Sequence, residues 1–164
     1  MSGLVSVVLG ILYSNIVEVL IHKYLLHGLG KKKDSFWAFH FHDHHKRTTK
    51  GGGIDDTYKN NHFYGRELWA LLLLDLIHTP LWWVDPIFAA TIFAYMILYY
   101  YVHVKSHTNT RWAKKWLPWH YDHHMSGKEG NWGVLFPLVD KLIGTRVYYK
   151  GTLKYIQDER RRNN

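Results

Sequence analysis

The stretch LVSVVLGILYSNIVEVLIHKYLLH, residues 4–27, decides how this chain folds. Leu4 to Ile21 is predominantly apolar and leads without a break into His22 and His27. A spanning helix needs roughly 20 such residues, so a membrane helix with imidazoles just beyond its end is expected. The pattern returns in Leu68 to Val84 and in Ile87 to Val104, the latter running into His103 and His107. Only Asp85 and Pro86 separate those two segments, which predicts a tight helical hairpin. Pro80 lacks an amide donor and is expected to loosen the end of the middle segment. The fold class is therefore all-α, an integral membrane helical bundle of about three apolar segments with a histidine-rich helical cap. A chain of 164 residues fits one domain, 1–164.

Charge gives the orientation. The 21 Lys and Arg residues all lie within Lys23 to Arg66 or from Lys105 onward. The positive-inside tendency then puts residues 22–67 and 105–164 in the cytoplasm, and every histidine cluster with them. The net charge of +8 is explained by this topology and by anionic headgroups, so no nucleic-acid partner is expected. The first segment lacks a basic leader and a small-residue cleavage site, so it reads as retained rather than as a signal peptide. The location implied is a multi-pass protein of a bacterial inner membrane or the endoplasmic reticulum.

Ten of the 13 histidines fall into four clusters: His22 and His27; His40, His44 and His45; His103 and His107; His120, His123 and His124. Side chains three or four positions apart share a helix face. His40 with His44, His103 with His107, and the arc of His120, His123 and His124 can thus each serve one small volume. Five residues of α-helix turn the chain to roughly 140°, so His22 and His27 either serve different metals or lie where the helix loosens. Cysteine is absent, which leaves only nitrogen and oxygen to hold a metal. One zinc takes three or four protein ligands, so ten imidazoles suit two ions. Ligand type leaves iron, zinc and copper open.

Between the boxes, a short helix is expected from about Ser35 to Arg47 with Asp34 or Ser35 as N-cap. Turns and short helical pieces are expected over Asn131 to Tyr149, and a frayed tail from Asp158.

The pattern Glu18-x3-His22-x4-His27, His40-x3-His44-His45, His103-x3-His107 and His120-x2-His123-His124 resembles the fatty acid hydroxylase and sterol desaturase superfamily of membrane di-iron enzymes. The string NWGVLFPLVDKLIGT, residues 131–145, is similar to the segment after that superfamily's last histidine box. The stretch from Glu18 to Gly28 and HFHDHH also resemble carotenoid hydroxylases. The resemblance implies two iron ions on the ten box histidines, O2 as co-substrate, and a lipid whose unactivated C–H bond is hydroxylated. It also implies electrons from a separate donor protein, since no fused haem carrier is present. Zinc is an alternative occupant in isolated protein. Three apolar segments fall short of the four usual in the family, which allows a second subunit to complete a substrate tunnel. Glu18, Asp43 and Asp122 are the acids expected to orient imidazoles through their other ring nitrogen.

Two further readings stand beside the hydroxylase: a lipid desaturase of the same architecture, and a non-enzymatic metal-binding or transport protein. A transporter would place its ligands mid-membrane, whereas here only Asp75 and His78 lie inside a segment. Asp75 is flagged by its position, with pairing to His78 or Asn15 as its simplest account. His42 and His62 read as ordinary surface or interfacial histidines, with His40 preferred to His42 by spacing. Tyr99, Tyr100 and Tyr101 read as an interfacial belt.

Overall fold

A computed structural model describes residues 2–61 and 65–163, and its regular elements are all helical. Helix α1 spans Gly3–Leu20 and passes directly into a π-helical segment, Ile21–Gly28, and a 3₁₀ turn, Leu29–Lys31. A second π segment, Phe39–His44, precedes α2, His45–Lys50. Short α3 covers Thr57–Asn61. Then come α4, Arg66–His78, and α5, Pro86–Thr108. The cap is completed by α6, Thr110–Trp116; α7, Pro118–Met125; α8, Leu138–Leu142; and α9, Leu153–Asn163.

Two continuous helices, Gly3–Lys31 and Pro86–Thr108, are long and apolar enough to cross a membrane. They pack together closely because Gly10 has no side chain: a methyl there would lie 2.8 Å from Thr91. One turn toward the N-terminus, Ser6 Oγ donates to Asp85 Oδ2 at 2.7 Å. Asp85 also caps α5, accepting from the amides of Ile87 and Phe88 at 3.0 Å each. The hairpin expected at Asp85 and Pro86 is present, with Val84 and Asp85 making the turn and Pro86 opening α5. Outward-facing side chains such as Trp83, 84% exposed, and Ile97, 70% exposed, suit a lipid environment and not water.

The middle apolar segment departs from the expectation of three comparable helices. Its α-helix ends at His78 after 13 residues and continues only as a 3₁₀ stretch, Thr79–Trp83. Pro80 is the cause, since it cannot donate to the turn before it. The tail also differs. Leu153–Asn163 is helical, and Lys154 pairs with Asp158 at 2.9 Å one turn away. The segment after Ser35 forms turns and then the π segment, in place of one short α-helix.

Candidate metal centre

The ten box histidines converge in two adjoining clusters. In the first, one nitrogen from each of His22, His27, His40, His45 and His123 lies within 4.8 Å of the others. In the second, the same holds for His44, His103, His107 and His124. His120 joins the second, its Nε2 2.9 Å from His107 Nε2.

Backbone type sorts these residues. In a π-helix the repeat is i to i+5, so residues five apart are stacked. His22 and His27 lie on one π segment and His40 and His45 span the other, and both pairs enter the first cluster. The helix does loosen at His22, which resolves its awkward spacing. In ordinary α-helix the pair is i, i+4, and His103 with His107 and His120 with His124 go to the second. The expected pairing of His40 with His44 is therefore corrected: the π turn sends His44 to the second cluster. The arc of α7 is likewise divided, His123 facing the first cluster and His124 the second.

The ring nitrogens fit a cation. Within the first cluster, Nε2 atoms approach at 3.1 Å for His22 and His40. The values are 3.0 Å for His27 and His45 and 3.1 Å for His45 and His123. With metal–nitrogen bonds near 2.0–2.1 Å, ligands around one ion are separated by about 2.9 Å in an octahedron and about 3.4 Å in a tetrahedron. Protonation makes the case stronger. His107 Nδ1 donates to the Gly53 carbonyl at 3.2 Å, and His103 Nδ1 stands 2.6 Å from Glu67 Oε1. A neutral His107 has one N–H, so its Nε2 carries a lone pair, which faces His103 Nε2 at 3.2 Å and His120 Nε2 at 2.9 Å. A cation placed there can take that lone pair. Buried His44 Nε2 and both nitrogens of His124 have no hydrogen-bond partner, which leaves them free to ligate.

Burial, reinforced by neighbouring imidazoles, holds His40, His45, His120 and His124 well below the usual histidine range. His123 is lowered to about 4, again chiefly by burial. Rings kept neutral in this way keep their lone pairs available.

The orienting partners are not the three acids expected from the sequence. His44 Nδ1 donates to Asp55 Oδ2 at 3.0 Å, and Glu67 makes a close ion-pair contact with His103 Nδ1. Burial alone would raise the Asp55 carboxyl, but hydrogen bonds from His44, Arg47 and Thr57 outweigh it and hold Asp55 far below the carboxylate range. His22 Nδ1 donates to the Trp132 carbonyl at 2.6 Å and His123 Nδ1 to the Gly130 carbonyl at 2.7 Å. The loop carrying both carbonyls is fixed by buried Asp140, which accepts from the amides of Trp132 and Gly133 at 3.0 and 2.8 Å. Gly130 has φ +146°, and a Cβ there would lie 2.4 Å from the Thr145 carbonyl oxygen.

Glu18, Asp43 and Asp122 are placed elsewhere. Glu18 accepts from the Val134 and Leu135 amides and from Tyr95, bracing the same loop from below. Asp122 pairs with Arg146 at 2.8 Å, and Asp43 is exposed. His42 Nε2 donates to the Lys31 carbonyl at 2.9 Å, away from both clusters. His78 pairs with Tyr13 at 2.9 Å, not with Asp75, whose Oδ1 is buried without a hydrogen-bond partner. Tyr99 is buried and stacks on His103 with ring centroids 5.5 Å apart, whereas Tyr101 is exposed. His62 lies outside the described residues. The signal for Glu67 was present in the sequence: a lone acid at the mouth of an apolar segment, on the same side as the histidines.

An apolar cavity of about 220 Å³ opens between α1, α4 and α5. Val17, Ile21, Leu25, Leu71 and Leu74 form its walls, and His22 and His40 of the first cluster border it.

Fold and site together define a helical membrane protein with a buried all-imidazole centre able to hold metal. The family model described as fatty acid hydroxylase matches residues 7–145, and the chain belongs to that family. No curated protein and no solved structure matches the chain.

Proposed function

We propose that this protein is a membrane-bound di-iron oxygenase that hydroxylates an unactivated C–H bond of a lipid, whether fatty acyl, sterol or carotenoid. The balance is R–H + O2 + 2 e⁻ + 2 H⁺ giving R–OH + H2O, the electrons coming from a separate donor protein. The observation that carries this reading is the junction of cavity and cluster: His22 and His40 belong at once to the first cluster and to the border of the apolar cavity. Iron ions, when bound, supply the reductive activation of O2 that cleavage of such a bond requires.

The chain's own residues supply placement. Val17, Leu71 and Leu74 receive an alkyl chain from the bilayer and keep water out, so the target carbon is held against the imidazoles. His22, His27, His40, His45 and His123 would hold one ion, and His44, His103, His107, His120 and His124 the other. Both clusters lie past the apolar run of α1 and at the C-terminal end of α5, the side assigned to the cytoplasm by charge. This position at one end of the helices counts against ion transport.

The test is metal content of detergent-purified protein, followed by incubation with a reductant, ¹⁸O2 and a lipid extract. About two irons per chain and one ¹⁸O atom in a lipid product are expected. A double bond without label would make the enzyme a desaturase. One zinc, or no metal, unchanged in His44→Ala and His123→Ala, would overturn the oxygenase.

A further inference from the structure

The two clusters differ in what stands behind their imidazoles. In the second, two rings face carboxylates: His44 Nδ1 lies 3.0 Å from Asp55 Oδ2 and His103 Nδ1 lies 2.6 Å from Glu67 Oε1. Asp55 is wholly buried and Glu67 is 14% exposed, at the cavity wall. In the first, His22 and His123 donate to the neutral carbonyls of Trp132 and Gly130. Among the described residues no carboxylate pairs with a first-cluster imidazole, and the nearby acids are engaged elsewhere, Glu18 with backbone amides and Asp122 with Arg146.

Two physical effects follow, and they have the same sign. A carboxylate accepting the Nδ1 proton, as Asp55 does from His44, makes the ring a stronger base and hence a stronger donor at Nε2, while Glu67 acts on His103 through its charge at 2.6 Å. Two buried negative charges also compensate a divalent cation, whereas five neutral rings leave its charge unbalanced in a low-dielectric site.

We propose that the centre is built unequal. The second cluster is the high-affinity position, with Asp55 and Glu67 as its positioning residues. The first cluster, on the cavity side, is the weaker and more exchangeable one. This rests on the reading that the ten imidazoles hold two ions, and the experiment separates failure of the one from failure of the other.

The experiment follows release of iron(II) from the full chain in detergent to an excess of chromogenic chelator, without oxygen. Two phases of about one equivalent each are expected. His27→Ala should abolish the fast phase and spare the slow one. Asp55→Asn and Glu67→Gln, each keeping an acceptor at nearly the same place, should speed the slow phase roughly 10–100-fold and leave the fast phase unchanged. Asp55 also holds Arg47 and Thr57, and Glu67 also accepts from Tyr58 and Tyr99, so the unchanged fast phase in both variants is the check against a folding defect. A single phase of two equivalents would overturn the inequality alone. So would variants that accelerate both phases alike or only the fast one. Absence of bound iron from the wild-type chain would overturn the two-ion reading together with it.

Discussion

The first cluster hangs its histidines on π-helical backbone and steadies them with carbonyls from one distant loop. The second uses α-helical pairs and two side-chain carboxylates. The first thus depends on long-range assembly: residues 22 and 132 must meet before Nδ1 of His22 has an acceptor. The second does so too, since residues 53 and 107 must meet before Nδ1 of His107 has an acceptor; each cluster also keeps one nearer contact, His44 with Asp55 in the second and His123 with Gly130 in the first. The lesson is that equal numbers of imidazoles do not make equal sites, because the outer partners decide both charge balance and rigidity.

The largest effects should come from the two residues that cross between the halves. His44 lies on a π segment yet serves the second cluster, and His123 lies on α7 yet serves the first. Alanine at either position should lower turnover well beyond the roughly 100-fold that loss of an outer partner costs. Each variant should retain about one metal ion, and loss of both ions from either would show that the halves fill together.

Gly130→Ala and Gly53→Ala sharpen the contrast. Both glycines have positive φ, +146° and +108°, and both offer the carbonyl that fixes a histidine. A side chain there costs about 1–3 kcal/mol in backbone strain. The added Cβ would also meet the Thr145 carbonyl oxygen at 2.4 Å or the Tyr121 ring at 2.8 Å. Gly130→Ala should weaken metal binding in the first cluster and Gly53→Ala in the second, each roughly 10-fold, read by chelator competition. The same cluster weakening in both variants would break the assignment.

Leu74→Trp fills the cavity beside the first cluster. Metal content should be unchanged while turnover of a long lipid falls roughly 10-fold, because the reacting carbon can no longer reach its place. Smallest of all, His42→Ala should leave metal content and turnover within twofold, since its ring meets the Lys31 carbonyl and the Phe41 ring, away from both clusters.

The helical class, the hairpin at Asp85 and the gathering of ten histidines could all be read from spacing and apolar runs. The division into two clusters could not, because it depends on π backbone at Ile21–Gly28 and Phe39–His44, and side-chain periodicity assumes an α-helix. The spacing of His22 and His27 held the clue in its failure to fit 3.6 residues per turn. Asp55 was not legible for another reason: a loop path makes it the partner of His44, and short-range sequence does not encode that path. Glu67 could be read as a lone acid at the mouth of an apolar segment, but not as the neighbour of His103 in particular. Glu18, the acid nearest a box in sequence, is instead turned toward Val134, more than a hundred residues away.

The two π segments have a genetic reading as well. Each holds one residue more between its paired histidines than α5 holds between His103 and His107. Loss of a single codon between His22 and His27 would give the α-type spacing, and gain of one between His103 and His107 would give the π-type. Each histidine pair is therefore one indel away from the spacing of the other type, and because each half holds two such pairs, exchanging the spacing of a whole half takes two mutational events.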